Sequence, residues 1–208
     1  MPLPVIDYSD YHRTIIGYHG TTLEAAERLV GGDDFVPSDE VDEWFGKGIY
    51  FWEHAYQQAW WWAKRKPKGK AKAKVNPAVV GAVIRLGNCF DLLDTGNIGV
   101  LQAYHKKLVE DITKAKTGLP KNVRSHRSLD CAVFNYLYAE LAAVKCEIDT
   151  ARAVYVPTSR AKRIYPGSWI SEETHIQICV RNPKSILAVW HVRENGRYGK
   201  AAAASTDG

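Results

Sequence analysis

Two short segments of the chain hold residue types suited to chemistry. The first, Gly17-Tyr18-His19-Gly20-Thr21-Thr22, sets a histidine between small residues where a strand should end and a helix begin. The second, Gly46-Lys47-Gly48-Ile49-Tyr50-Phe51, places paired glycines before a Tyr-Phe strand. An imidazole can hydrogen-bond a hydroxyl, a glycine lets a ligand approach the main chain, and a tyrosine face can stack on a flat heterocycle. Each segment alone also has a plain structural reading, as a capping turn and as a tight turn into a core strand. A third group comes late. Glu172 and Glu173 immediately precede the apolar run His175-Ile176-Gln177-Ile178-Cys179-Val180. Side chains alternate along a strand, so Glu173, His175 and Gln177 are expected on one face. Both glutamates can equally be a solvated strand entry. The lone Gly-x-Gly is not a dinucleotide loop, because no strand in the chain is followed by Gly-x-Gly-x-x-Gly.

Taken in order, the His-Gly-Thr turn and the Gly-x-Gly-Ile-Tyr-Phe run resemble the NAD-binding signature of the ADP-ribosyltransferases of the diphtheria-toxin and poly(ADP-ribose) polymerase type, the group named for its His, Tyr and Glu. The resemblance spans the order of elements from Arg13 to Val192, and these two motifs are its specific part. It implies that His19 hydrogen-bonds the adenosine-side ribose. Gly20, with Thr21 beside it, would offer its backbone to the nicotinamide amide. Tyr50 would stack on the nicotinamide, with one of Trp60, Trp61 and Trp62, best Trp61, closing the other side. The resemblance also calls for a late glutamate that holds the nicotinamide-side ribose hydroxyl, and Glu173 is the residue assigned to that role. This chain departs from the pattern, since an ungapped comparison puts His175 at the glutamate position. His175 or Gln177 could then serve the hydroxyl by hydrogen bonding. Glu53, directly after the Tyr50 strand, is a further catalytic candidate or else a helix cap.

The chemistry implied has a definite physical need. The nicotinamide leaving group is already cationic and requires no general acid. The ribose passes through an oxocarbenium-like state, which an enzyme stabilises by gripping the sugar hydroxyls and placing negative charge nearby. NAD is then the co-substrate, no metal is called for, and the acceptor is a macromolecule, protein or nucleic acid. The implied context is a bacterial toxin or phage-defence effector with a possible antitoxin or immunity partner. Two other readings stand beside it: an NAD glycohydrolase, and a non-catalytic module that binds nucleic acid. The connection Arg160–Ser171 is the expected acceptor-facing loop, with Tyr165 and Trp169 among Arg160, Lys162 and Arg163, although an ordinary solvated loop has the same composition.

These residues need elements to position them. A helix is expected over Glu24–Val30, capped by Thr21 or Thr22 and stopped at Gly31-Gly32. An acidic loop follows over Asp33–Glu43, then a strand over Ile49–Trp52 and an aromatic helix over Ala55–Ala63. Val79–Leu86 reads as a buried strand, and Leu101–Ile112 and Leu129–Val144 as helices. Arg152–Pro157, His175–Val180 and Ile186–Val192 read as three more strands. Strands in two groups with helices inserted between them predict an α+β domain over residues 1–195, built as a split pair of packed antiparallel sheets, with a mobile tail at 196–208.

Composition narrows the class. The 208 residues are 46% hydrophobic and 25% charged, which gives enough apolar material for a core and excludes wholesale disorder. No apolar run reaches the roughly 20 residues of a membrane span, and the start lacks a signal-peptide pattern, so a cytoplasmic protein is expected. Net charge is +5, yet Lys64–Lys74 holds seven basic and no acidic residues; outside it, twenty-one basic residues face twenty-three acidic ones, a balance of −2. The body is near neutral and carries one basic stretch, a solvated face or a phosphate-binding arm. The four cysteines, Cys89, Cys131, Cys146 and Cys179, lack metal-ligand spacing and read as reduced thiols.

Overall fold

The computed structural model describes residues 13–65, 76–123, 126–155 and 162–192. The expected tail at 196–208 and most of the basic stretch, residues 66–74, lie outside them. The described elements, in chain order, are β1 (Thr14–Thr22), α1 (Leu23–Val30), β2 (Ile49–Glu53), α2 (Tyr56–Arg65), β3 (Pro77–Arg85), β4 (Cys89–Asp91), α3 (Thr95–Ala115), α4 (Ser128–Ala143), β5 (Thr150–Val154), β6 (Ile176–Val180) and β7 (Ile186–His191). The chain is thus α+β. Thr22 caps α1 by accepting the N–H of Ala25 at 3.2 Å. α3 starts well before Leu101, because Asp94 caps it through the N–H of Gly96. β4 has no counterpart among the strands expected from sequence, since three residues carry too little periodicity to register.

The strands form one sheet, not two, in the order β4-β5-β6-β2-β1-β3-β7. Nor is it wholly antiparallel, for β4 and β5 run parallel. What the sequence suggests as two sheets is one sheet rolled on itself. β5 and β3 stand four places apart, which in a flat sheet is about 19 Å. Yet Thr150 on β5 donates from Oγ1 to the carbonyl of Leu86, just past β3, at 2.6 Å. The roll encloses Ile49, Phe51, Ile178 and Val180 from one wing against Ala82, Ile84 and Leu86 from the other. Arg13, ahead of β1, likewise reaches Asp91 on β4 at 2.8 Å.

The joint between the wings is narrow. β1 and β2 share only two paired positions, Gly17 with Glu53 and Tyr18 with Trp52. Past that pair the strands part, and β1 continues instead along β3 through Thr22. The outer face of each wing has its own cover. α4 lays Phe134, Leu137 and Tyr138 over Ala151, Ala153 and Cys179. α2 covers Tyr18 and Val79 with Tyr56 and Ala59.

Gly20 makes the second cover possible. A Cβ there would stand 2.2 Å from the carbonyl oxygen of Ala59 on α2. Its glycine is therefore required by helix packing, a reason the motif alone does not reveal. Gly20→Ala should destabilise the protein by about 1–3 kcal/mol, the usual cost of overpacking. A urea-unfolding midpoint equal to wild type would show that α2 does not sit so close.

Candidate functional site

β1 and β2 part at the residues that the two motifs supply. His19 Nδ1 lies 2.8 Å from the carbonyl oxygen of Tyr50. A carbonyl oxygen only accepts, so Nδ1–H donates and the imidazole bridges the strands beyond the end of their backbone ladder. Phe35 and Phe51 hold the ring edge-on and tilted, at 5.4 and 5.5 Å.

The glycine pair shapes the approach to β2. Gly46 has φ +73, and a Cβ on it would stand 2.2 Å from Asn135 Oδ1 on α4. Gly48 has no room either, because a Cβ would meet Cys179 Sγ at 2.2 Å. The Lys47 N–H donates to Asn135 Oδ1 at 3.0 Å, which ties the turn to α4. The Tyr50 hydroxyl donates back to the Gly46 carbonyl at 2.5 Å and accepts the Phe45 N–H at 3.1 Å. Burial, with Cys179 and Glu43 adding to it, pushes the phenol far above its ordinary pKa, so it stays a protonated donor.

Above Tyr50 lies a cleft of about 970 Å³, within the size range of small-molecule sites. His19, Tyr50 and Trp52 line its floor together with Gln177, which stands opposite Trp52 in the β2–β6 ladder. α2 forms one wall through Gln58, Trp61, Trp62 and Arg65. That spacing is a single helical face. The three consecutive tryptophans divide accordingly: Trp60 packs with Tyr56 in the core, while Trp61 and Trp62 face the cleft. Segment 36–44 also lines it, with Glu40, Asp42, Glu43 and Trp44 among the residues. Arg65, Arg127 and Lys162 are the lining cations that could meet a pyrophosphate, and the indoles could stack on flat rings.

The late residues all reach this cleft, although by a different route from the one expected. β6 begins at Ile176, and Glu173 sits in the turn before it, where its N–H is held by Ser171 Oγ at 3.2 Å. Strand alternation therefore does not place Glu173; the turn does. Both glutamates line the cleft: Glu173 is half-buried, and exposed Glu172 pairs with Lys162, another lining residue, at 2.7 Å. His175 stacks on Tyr155 with ring centroids 4.8 Å apart.

Glu53 requires correction as a catalytic candidate. It faces the rolled interior and binds Arg152 through both carboxylate oxygens at 2.6 and 3.0 Å. Arg152 also meets Asp91 at 3.0 Å, so Glu53 belongs to an ion network away from the cleft. Gly20 and Thr21 are not among the lining residues either. The first lies under α2 and the second is buried in β1. Tyr165 and Trp169 are exposed, Trp169 at 89%, and stand outside the cleft lining. Arg163 braces their loop by donating to the Trp169 carbonyl at 2.5 Å.

Gln58, Arg65, Trp44, Arg127 and Tyr155 line the cleft without having stood out in the sequence as residues of this site, Arg65 having been read only as part of the basic stretch. The helical spacing of Gln58, Trp61, Trp62 and Arg65 is a signal that points to the first two. Arg127 and Tyr155 carry none, because only tertiary packing stacks the Arg127 guanidinium 5.4 Å over Tyr155. Among the described residues no helix is long and apolar enough to cross a membrane, and no cluster of His, Cys, Asp and Glu is arranged to hold a metal.

No family model matches the chain, and no solved structure matches it. The chain is similar to an uncharacterized protein of Methanocaldococcus jannaschii, MJ0359, at 28% identity over 190 residues that cover 81% of this chain and 83% of that one.

Proposed function

We propose that the chain is an NAD-dependent ADP-ribosyltransferase, built on the rolled, split sheet of that group, that passes ADP-ribose to a macromolecular acceptor. The observation that carries this reading is that His19 and Tyr50 line one cleft at the parted end of β1 and β2, His19 Nδ1 bonded to the Tyr50 main-chain carbonyl at 2.8 Å, and that Trp61 and Trp62 line it too. The two motifs come from separate parts of the sequence, and a merely structural role for each would not require them to converge on one cleft.

In this reading His19 holds the adenosine-side ribose, and Tyr50 with an α2 indole sandwiches the nicotinamide. The bond from ribose C1′ to the nicotinamide nitrogen breaks, and its electron pair neutralises the leaving ring. A lone pair of the acceptor forms the new bond at C1′, and the acceptor loses its proton. The cationic sugar between these events is where a nearby carboxylate acts. Glu173→Gln should accordingly lower kcat by about a hundredfold while KM moves little. Normal turnover in that variant would remove Glu173 from the reaction.

The acceptor would approach over residues 162–171, past Tyr165 and Trp169. A small toxin or phage-defence effector with a cognate antitoxin fits a site of this kind. The deciding experiment adds labelled NAD to whole-cell lysate with the protein, then digests with nuclease or protease separately. Label lost to one digestion identifies the acceptor class. Free ADP-ribose with no labelled macromolecule would mean an NAD glycohydrolase. Salt-sensitive nucleic-acid binding without NAD affinity would mean a non-catalytic module.

A further inference from the structure

The segment from Lys162 to Glu172 is a built finger, not a slack connection. The Glu172 N–H donates to the Lys162 carbonyl at 3.0 Å, Arg163 and Ser171 pair as an antiparallel bridge, and the Ile164 N–H donates to the Ile170 carbonyl at 3.2 Å. At the tip the Ser168 N–H closes on the Tyr165 carbonyl at 3.1 Å over Pro166 and Gly167. Gly167 takes φ +79, as the third residue of a type II turn requires. Such a ladder fixes its side chains before anything binds. What it presents is apolar: Tyr165 is 59% exposed and Trp169 89%, with Ile164 and Ile170 exposed beside them. Arg163 sets its guanidinium 5.9 Å from the Trp169 ring and holds that residue's carbonyl.

The finger adjoins α2. Gln58 Nε2 donates to the Glu172 carbonyl at 2.8 Å, and Trp62 and Arg65 follow Gln58 on the same helical face. The Trp52 ring lies 5.8 Å from Trp62 and 6.4 Å from His175, so this face and the root of the finger border one part of the cleft. Charge is segregated as well. α2 carries Lys64 and Arg65 and no acid, and residues 162–171 carry Lys162 and Arg163 and no acid. Glu172 neutralises Lys162, whereas Lys64, Arg65 and Arg163 have no ion-pair partner among the described residues. Asp33–Glu43, part of which lines the cleft, holds six acidic and no basic residues. Rigid exposed rings interleaved with free cations match a flexible polyanion that carries flat rings. A duplex keeps its bases stacked on one another and offers such rings no face.

We propose that the finger and the adjoining face of α2 bind single-stranded nucleic acid, with bases on Trp169, Tyr165 and Trp62 and phosphates on Lys64, Arg65 and Arg163, and that the acceptor of ADP-ribose is such a strand. The acceptor role rests on reading the cleft as an NAD site; the binding surface does not. In the transfer, a ring nitrogen or hydroxyl of the strand forms the bond to ribose C1′ with its lone pair and gives its proton to solvent. Nicotinamide leaves with the electron pair of the broken bond.

The test is fluorescence anisotropy of the full chain, without NAD, on a labelled oligouridylate and the matching oligodeoxyuridylate. Binding of at least one is expected at low salt, and the tighter arm names the sugar. The same sequence in a duplex, and polyglutamate, should bind at least about tenfold more weakly. Trp169→Leu keeps apolar bulk without a π face and should weaken strand binding at least about fivefold, whereas Trp169→Tyr should stay within about threefold of wild type. Lys64→Gln with Arg65→Gln should make the slope of log affinity against log salt shallower by about 1.4, the share of two phosphates on a single strand. Tyr165→Leu repeats the ring test at a second position. No strand binding at low salt, equal affinity for the duplex, or Trp169→Leu and Tyr165→Leu both binding like wild type overturns the proposal. Polyglutamate bound as tightly as the strand overturns it in favour of an acidic protein partner. A parallel NAD titration of the wild type separates the two readings. NAD bound without the strand overturns the surface alone. The strand bound by a protein that neither binds nor cleaves NAD supports the surface and overturns the cleft reading, and the acceptor role with it.

Discussion

Arg152→Met should destabilise the protein by about 3–5 kcal/mol, enough to consume much of the stability of a domain this size. Arg152 sits on β5 with its side chain 11% exposed, between Glu53 on β2 at 2.6 Å and Asp91 on β4 at 3.0 Å, themselves 10% and 13% exposed. Hydrogen bonding to Glu53 holds the guanidinium even more firmly charged than usual. Removing it leaves two nearly buried carboxylates near each other, with Arg13, 45% exposed, the one remaining cation paired with Asp91 among the described residues. Those carboxylates would have to bind protons or draw in water. The triple variant Arg152→Met, Glu53→Leu, Asp91→Asn should recover part of the loss, because well-packed neutral groups can replace a buried ion cluster. Urea unfolding of the two proteins measures both values. A single variant within about 0.5 kcal/mol of wild type would mean that water already screens the network.

His19→Ala and Tyr50→Ala should each weaken NAD binding at least about tenfold, or 1.4 kcal/mol, in calorimetric titration. The histidine bridges β1 to the Tyr50 carbonyl as well as lining the cleft, so its loss should also loosen the joint between the wings. Tyr50→Phe discriminates between the tyrosine's two duties. It keeps the aromatic face and loses the bonds to Gly46 and Phe45 that hold the glycine turn. Affinity within about threefold of wild type would assign the binding to the ring. Full affinity in both alanine variants, with folding intact, would show that NAD does not occupy this cleft.

Local pattern was enough to read most individual elements. The cap at Thr22, the strand at Ile49, the buried run before Leu86 and the apolar helix α4 follow from side-chain chemistry within one or two turns of chain. Motif order likewise brought out His19 and Tyr50, and the succession of three tryptophans already required that they not all face one way. Beyond the reach of local pattern, inference from neighbours failed. Strand parity carried Glu173 onto β6, whereas Ser171 holds it in a turn one step earlier. Position next to Tyr50 made Glu53 a catalytic candidate, whereas an arginine 99 residues away claims both its oxygens.

The sequence by itself determined most of the strands and helices, β4 excepted, as well as which glycines precede the tyrosine and which residue types are present for chemistry. Those follow from interactions among neighbours in the chain. Only the tertiary structure decided that the strands make one rolled sheet joined by two residue pairs, and that the opening beyond that joint is the cleft. It alone decided that Gly20 lies under a helix backbone, that Glu53 turns inward and that the His175 ring stacks on Tyr155. The physical reason is that burial and hydrogen-bond satisfaction are set by groups remote in sequence, and no local periodicity records which of two faces a distant partner will occupy.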